Sequence, residues 1–395
     1  MSERRFIPPH GNYRELLSYR KAEVVYDLTV GFYRRFLRQG DRTTGQMVQA
    51  ARSGKGNVRE TRSNHLKASP DTTYKTYRTY PLPPAPPCRK PPRPLRYSLG
   101  MEEPPFAFAE PDYPLGPLTR YRVGGPARWA LLPRTMEEAR AAYAWMAAQR
   151  TGGAPMRRLV LGGGSNVLIS DRGIDGAVLV TTALDGIEAL GNDRYRVECG
   201  AELGDLVQDV MLPNNYDGVG GLTGIPGTVG GAIYMNAGTV NGTTCQWLES
   251  VEVAGDGGSR TVTMDASCYG YRGQSFCPPG SLILQGVFRF RAAKADQRAV
   301  YEHYMQRRRE KQPQGYCCGS VFKNPPGDHA GRLLEACGLK GTRRGGAVIS
   351  PVHANFIMNE GGAAFDDILG LIRLCQTTVK QQCGVDLECE VIVLD

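Results

Sequence analysis

Residues 220–238 read GGLTGIPGTVGGAIYMNAG. Of the twelve residues from Gly220 to Gly231 only five are neither Gly nor Pro, so the segment brings too little side-chain bulk to build an ordinary core. Such a run can instead lay bare backbone against a ligand. Gly230-Gly231-Ala232 lets a helix begin directly on that ligand, its unpaired first-turn N–H groups turned toward negative charge; close helix packing is the plainer reading of the same residues. Upstream, residues 161–171 read LGGGSNVLISD behind an apolar strand at 158–160. Successive N–H groups at Gly162, Gly163 and Gly164 form a nest suited to pyrophosphate oxygens, although a tight turn explains that segment alone equally well. Neither segment contains G-x-x-x-x-G-K-[ST], which argues against a mononucleotide P-loop. Neither is a G-x-G-x-x-G between a strand and a helix with an acidic residue about 20 positions on, so the Rossmann signature fails too.

The chain has 395 residues, long enough for two or three domains with large cores. No run approaches the roughly 18 uninterrupted apolar residues of a membrane span, and the start lacks the apolar stretch of a signal peptide. These features lead to the expectation of a soluble, cytoplasmic protein with no membrane partner. The 11 cysteines include no C-x-x-C pair. That suits a reducing compartment and mostly buried thiols, and gives no spacing for a metal site.

Charge is uneven. Residues 1–100 hold 20 Lys+Arg against 7 Asp+Glu, while the remainder is mildly acidic within a total of +9. Residues 12–39 and 43–60 carry helical apolar stripes, the first through Leu17, Val24, Leu28, Phe32 and Phe36. Residues 12–60 resemble the start of small four-helix-bundle proteins encoded in ribosomal-RNA intervening sequences, with the last two helices missing. The reading is a basic, partly disordered helical-hairpin fragment over residues 1–80. Its Lys/Arg-rich surface makes RNA contact the alternative to a solvated tail. Eight prolines in residues 81–96 mark an extended, semi-rigid linker, expected to reach residue 114. Beyond it, strand-like runs at 159–161, 177–181, 250–254 and 282–290 alternate with helical ones at 136–149, 203–211 and 300–310, a mixed α+β pattern.

The order of three segments, Arg122-Val123-Gly124-Gly125-Pro126-Ala127, LGGGSNVLISD and GLTGIPGTVGGAIYMNAG, resembles the UDP-N-acetylenolpyruvoylglucosamine reductase (MurB) family from about residue 115 to the end. The resemblance implies a two-part FAD-binding domain of the vanillyl-alcohol-oxidase/PCMH type over residues 115–293. A C-terminal α+β substrate-binding domain follows over 294–395. It also implies non-covalent FAD, NADPH as hydride donor and a UDP-sugar substrate. The residues it assigns to the cofactor are Arg122, Gly124, Gly125, Gly162, Gly163, Gly164, Ser165, Asn166, Gly224, Ile225, Pro226, Gly227, Thr228, Gly230, Gly231, Ala232 and Asn236.

Gly319-Ser320-Val321-Phe322-Lys323-Asn324-Pro325 matches the motif in which the family's serine donates a proton. Tyr271-Arg272 and Glu390 fall where the family places an arginine and a glutamate. By the same resemblance Lys323, Asn324, His353 and Asn355 belong to the substrate side, in the shorter family type that lacks a tyrosine loop. The implied chemistry reduces an enolpyruvyl ether to a lactyl ether. Arg272 would stabilise charge on the carboxylate, a protonated Glu390 would donate to the same oxygens, and Ser320 would deliver the proton.

Three positions depart from the pattern: Gln274 for a serine, Cys389 for a proline before Glu390, and Cys317-Cys318 for small residues before Gly319, a candidate redox-sensitive pair. A sugar or lactone oxidase on the same flavin fold is the enzymatic alternative. An RNA-associated binding protein acting through residues 1–96 is the other.

Overall fold

The computed structural model describes residues 101–395 apart from Gly152. The expected N-terminal hairpin, its RNA contact and the proline-dense part of the linker lie outside these residues. Among the described residues no helix is long and apolar enough to cross a membrane.

Two sheets form the first part of the fold. One has four strands in the order Ala109–Pro114, Pro126–Leu131, Ile174–Val180, Arg157–Leu161. Its first pair is antiparallel and the other two are parallel. The other sheet is antiparallel throughout and orders Gly258–Thr263, Leu248–Gly255, Leu282–Arg289, Arg194–Glu198 and Ile187–Gly191. Helix Met136–Ala148 buries Ala139, Ala142, Tyr143 and Met146. These residues share one core with Leu282, Leu284 and Phe288 of the antiparallel sheet. The helix starts where Thr135 accepts a hydrogen bond from the Glu138 N–H, satisfying a first-turn donor.

The strand Ala109–Pro114 lies in the stretch expected to be linker, and its register runs from Ala109 opposite Leu131 to Pro114 opposite Pro126. Pro111 and Pro114 are tolerated because the strand sits at the sheet edge, where ladder hydrogen bonds are needed on one side only. The helical run expected at 203–211 is a short turn at Leu203–Asp205 that widens over Leu206–Met211.

The C-terminal part is built on helix Phe365–Cys383. Its Phe365, Ile368, Leu371, Ile372, Cys375 and Val379 follow helical spacing and are buried, together with Val321, Phe322, Leu333 and Ile349. Asp366 and Asp367 occupy the first turn, where negative charge is favoured, and Gly384 ends the helix at φ +72°. The chain then returns to the first part, where strand Ile392–Leu394 pairs in parallel with Val167–Ile169, Ile392 opposite Val167. This last pairing brings the C-terminus beside the 162–166 glycine segment.

Candidate active site

Strand Arg157–Leu161 runs directly into Gly162, Gly163 and Gly164, which lie against the second glycine segment with no room for side chains. A Cβ on Gly162 would fall 2.3 Å from Thr228 Oγ1, and one on Gly163 would fall 2.9 Å from Gly227 Cα. Gly164 has φ +58°, and a Cβ there would fall 2.1 Å from the Leu118 carbonyl oxygen. Gly227, at φ +110°, faces Ser165 Oγ in the same way. The third segment joins from behind: a Cβ on Gly125 would meet the Asp171 carbonyl oxygen at 2.2 Å, and one on Gly124 would lie 3.1 Å from Ile169 Cβ. Arg122 donates to the Pro117 carbonyl and stacks over Tyr316 at 5.8 Å.

Three sequence-distant segments thus share one cradle of backbone. Thr228 caps it at the start of helix Val229–Tyr234, and its hydroxyl is buried without a hydrogen-bond partner. A Cβ on Gly231 would make only an ordinary contact, with Thr228 Oγ1 at 3.7 Å, where Gly230 is tight against Cys199, and Ala232 is buried behind them. Gly224-Ile225-Pro226 approaches the cradle on one side, with Gly224 closed against Arg308 Cδ at 2.7 Å. An orphaned buried hydroxyl, glycine walls and a helix start fit the diphosphate of a flavin dinucleotide.

The catalytic candidates converge beside this cradle. Arg272 occupies the tip of the hairpin formed by Tyr269–Gly270 and Gly273–Gln274, at φ +54°. Its Nε donates to Glu390 Oε1 at 2.7 Å, and its Nη2 donates to the Gly238 carbonyl at 3.0 Å. Both side chains are largely buried, 19% and 17% exposed. Burial pushes the Glu390 carboxyl above its usual range, and the Arg272 and Lys323 charges pull it partly back. The Glu390 N–H donates to the Val321 carbonyl at 2.8 Å, which sets the residue beside the 319–323 segment that carries Ser320. Asn166 Nδ2 donates to the Glu390 carbonyl at 3.0 Å, tying the glycine segment to the glutamate.

Several expected contact residues are committed to the protein itself. Asn355 was expected at the substrate. Its Oδ1 accepts from the Phe322 N–H and its Nδ2 donates to the Phe322 carbonyl, both at 2.9 Å, so it holds the serine segment in place. His353 Nδ1 accepts from the Asn355 N–H at 3.2 Å, and its ring packs on Phe356 at 4.9 Å. Burial lowers the His353 pKa. Asn236, expected at the cofactor, donates to the Gly270 carbonyl at 2.8 Å and accepts from the Cys245 N–H at 3.0 Å, which clamps the Arg272 hairpin. A buried amide satisfied by backbone carries no sequence signal that distinguishes it from one facing a ligand.

Lys323 pairs with Glu388 at 2.5 Å and remains partly open. Asn324 Oδ1 accepts from the Ala330 N–H at 3.1 Å at the start of helix Ala330–Ala336. Tyr271, not singled out as a contact, accepts from the Asn324 N–H at 3.2 Å and lies under Arg272 at 5.2 Å; its place next to Arg272 in sequence was the available clue. Gln274 bonds both ways to the Cys277 backbone, closing the turn after Arg272. Cys389 Sγ accepts from Gln376 at 3.8 Å. Cys317 and Cys318, the candidate redox-sensitive pair, are buried, and burial raises both thiol pKa values, which disfavours the thiolate that such a role needs.

Comparison with known proteins finds similarity over both parts of the fold. Residues 127–263 match a family model described as an FAD binding domain, and residues 311–394 match the C-terminal domain of UDP-N-acetylenolpyruvoylglucosamine reductase. A UDP-N-acetylenolpyruvoylglucosamine reductase of Myxococcus xanthus is 41% identical over 288 residues, covering 70% of this chain and 89% of the relative. One of Chloroflexus aggregans is 38% identical over 296 residues, covering 72% and 97%. The crystal structure of the Thermus caldophilus reductase superposes with a TM-score of 0.60 at 33% identity, covering 75% of this chain and all of that one.

Proposed function

The chain belongs to the UDP-N-acetylenolpyruvoylglucosamine reductase family, and from that premise we propose how its own residues carry out the reaction. The protein reduces UDP-N-acetylenolpyruvoylglucosamine to UDP-N-acetylmuramate in peptidoglycan precursor synthesis. FAD, when held in the glycine cradle, supplies a hydride drawn from NADPH. The cytoplasm, where nucleotide sugars and NADPH are at hand, is the compartment this activity requires.

Reduction of the vinyl bond builds negative charge on the enolpyruvyl carboxylate. Arg272 binds those oxygens and stabilises the charge, and because its side chain is largely buried such a contact is worth a few kcal/mol. Glu390, with its carboxyl held toward the neutral form by burial, donates to the same oxygens. Ser320 gives its hydroxyl proton to the carbon next to the carboxylate and regains one from solvent. A hydroxyl is a weak acid, so the transfer depends on position and on the basicity of the enolate. Lys323 lies on the same segment and takes the nucleotide-sugar side, with Asn324 next to it.

What supports this reading is the 2.7 Å Arg272–Glu390 pair held against both the Ser320 segment and the glycine cradle. Anaerobic rapid mixing tests it. NADPH should bleach the flavin absorbance, and the enolpyruvyl substrate should restore it. Ser320→Ala should bleach normally and fail to recover. Recovery only when oxygen is admitted, with substrate inert, would overturn the assignment and favour the oxidase alternative.

A further inference from the structure

Two thiols meet at the surface of the C-terminal part. Cys337 closes helix Ala330–Ala336, where its N–H donates to the Leu333 carbonyl, and Cys383 is the last residue of helix Phe365–Cys383. Their sulfurs lie 3.7 Å apart although 46 positions separate them in sequence. Cys383 is exposed and Cys337 partly so, whereas Cys199, Cys245 and Cys375 are buried with thiols pushed up to about 12; partial burial and the Cys383 hydrogen bond raise the Cys337 thiol too. The helices that carry the pair already pack through Leu333, Leu334, Ile368 and Ile372, so joining the sulfurs calls for side-chain rotation rather than a new docking of helices.

We propose that Cys337 and Cys383 form a reversible disulfide with a small-molecule disulfide, such as oxidised glutathione, as the oxidant. The Cys383 thiolate attacks one sulfur of the oxidant, forming a mixed disulfide and releasing one equivalent of the small thiol. The Cys337 thiolate then attacks the Cys383 sulfur and expels the second equivalent. Two protein thiols lose two electrons and two protons, and one oxidant molecule becomes two small thiols. Cys383 is the entry point because it is the more exposed of the two, while Cys337 is shielded and hydrogen-bonded to it.

The bond would act on the catalytic segments at one remove. Helix Ala330–Ala336 begins at the hydrogen bond from Ala330 to Asn324, just past the Ser320 segment. Helix Phe365–Cys383 ends at Gly384 and leads through Gln376-anchored Leu387 to Glu390. A staple between the two helix ends therefore closes the C-terminal core around both, and it restrains the unfolded chain over a long loop.

The full-length protein is equilibrated in glutathione buffers of rising oxidised fraction, remaining thiols are alkylated, and peptides are mapped by mass spectrometry without reduction. The expected result is loss of two alkylatable thiols with one cross-linked peptide pair joining Cys337 to Cys383, reversed by dithiothreitol. Thermal melting should rise by several degrees on oxidation, and Cys383→Ser should abolish both changes. Cys337→Ser should instead retain one glutathione on Cys383. Glutathione on both cysteines without a cross-link, a cross-link through other cysteines, or both thiols alkylating in excess oxidant would each overturn the proposal. None of these outcomes bears on flavin reduction by NADPH, so the test is independent of the reductase assignment.

Discussion

Arg272 Nε meets Glu390 Oε1 at 2.7 Å across 118 positions of sequence, from a hairpin tip on one side and a returning C-terminal segment on the other. The arginine takes φ +54° to reach it, a conformation that costs a non-glycine residue about 1 kcal/mol or more. Asn236 and the Gly238 carbonyl hold it there. A lysine cannot reproduce the two-direction fork of the guanidinium. Arg272→Lys is expected to lower kcat about 100-fold or more while NADPH still bleaches the flavin at the normal rate. Rapid mixing of each half-reaction separately checks this, and an equal loss in both halves would remove Arg272 from the carboxylate.

Glu390 has its carboxyl raised above the ordinary 4.5, with burial the largest cause and Arg272 opposing it. A folded-state value above the unfolded one means the neutral form stabilises the fold below the ordinary range. That contribution is lost as pH rises through the raised value. Activity that uses the neutral carboxyl falls over the same interval. The kcat profile of the wild type should therefore show a descending limb centred above 4.5, and Glu390→Gln should flatten it at reduced but measurable activity. A limb that persists unchanged in Glu390→Gln belongs to another group.

Only backbone can fill the spaces at Gly162, Gly163 and Gly164, a need the sequence shows as a glycine run that a tight turn would explain as well. Motifs single out Ser320, Arg272 and Glu390 as candidates, yet nothing local says that Asn166 would tie Glu390 to the 162–166 glycine segment. That contact follows from the parallel pairing of Ile392–Leu394 with Val167–Ile169, a long-range event with no local signature. Strand Ala109–Pro114 was hidden for a different reason: its prolines read as linker until an edge position makes them harmless. Asn355 and Asn236 bond to backbone, and an asparagine aimed at backbone and one aimed at a ligand look alike in one dimension.

Asn355 is buried and bonds both polar groups of Phe322. Truncation leaves a buried N–H and a buried carbonyl without partners, at about 1–3 kcal/mol for each such group. Asn355→Ala should lower the melting temperature of the purified protein measurably and depress kcat through a displaced Ser320, with little change in flavin content. Calorimetry together with the flavin-to-protein absorbance ratio distinguishes this from a contact to substrate, which would leave the melting temperature alone and raise KM.

Gly230 and Gly231 stand side by side at the start of helix Val229–Tyr234 but face different surroundings. A Cβ on Gly230 would sit 2.8 Å from Cys199 Cβ, whereas on Gly231 the nearest atom is Thr228 Oγ1 at 3.7 Å, an ordinary contact. Within the protein alone, Gly231→Ala has room and gains helix propensity of up to about 1 kcal/mol. Where the helix start faces the cofactor diphosphate, the added methyl occupies the space that the ligand needs. The apo form of Gly231→Ala should melt at or above the wild-type temperature and yet bind FAD about 10-fold more weakly or worse, a loss of about 1.4 kcal/mol. Gly230→Ala should lose stability with or without FAD. Titration of the two apo variants with FAD, followed by flavin fluorescence, separates the cases, and wild-type affinity in Gly231→Ala would move the diphosphate away from this helix.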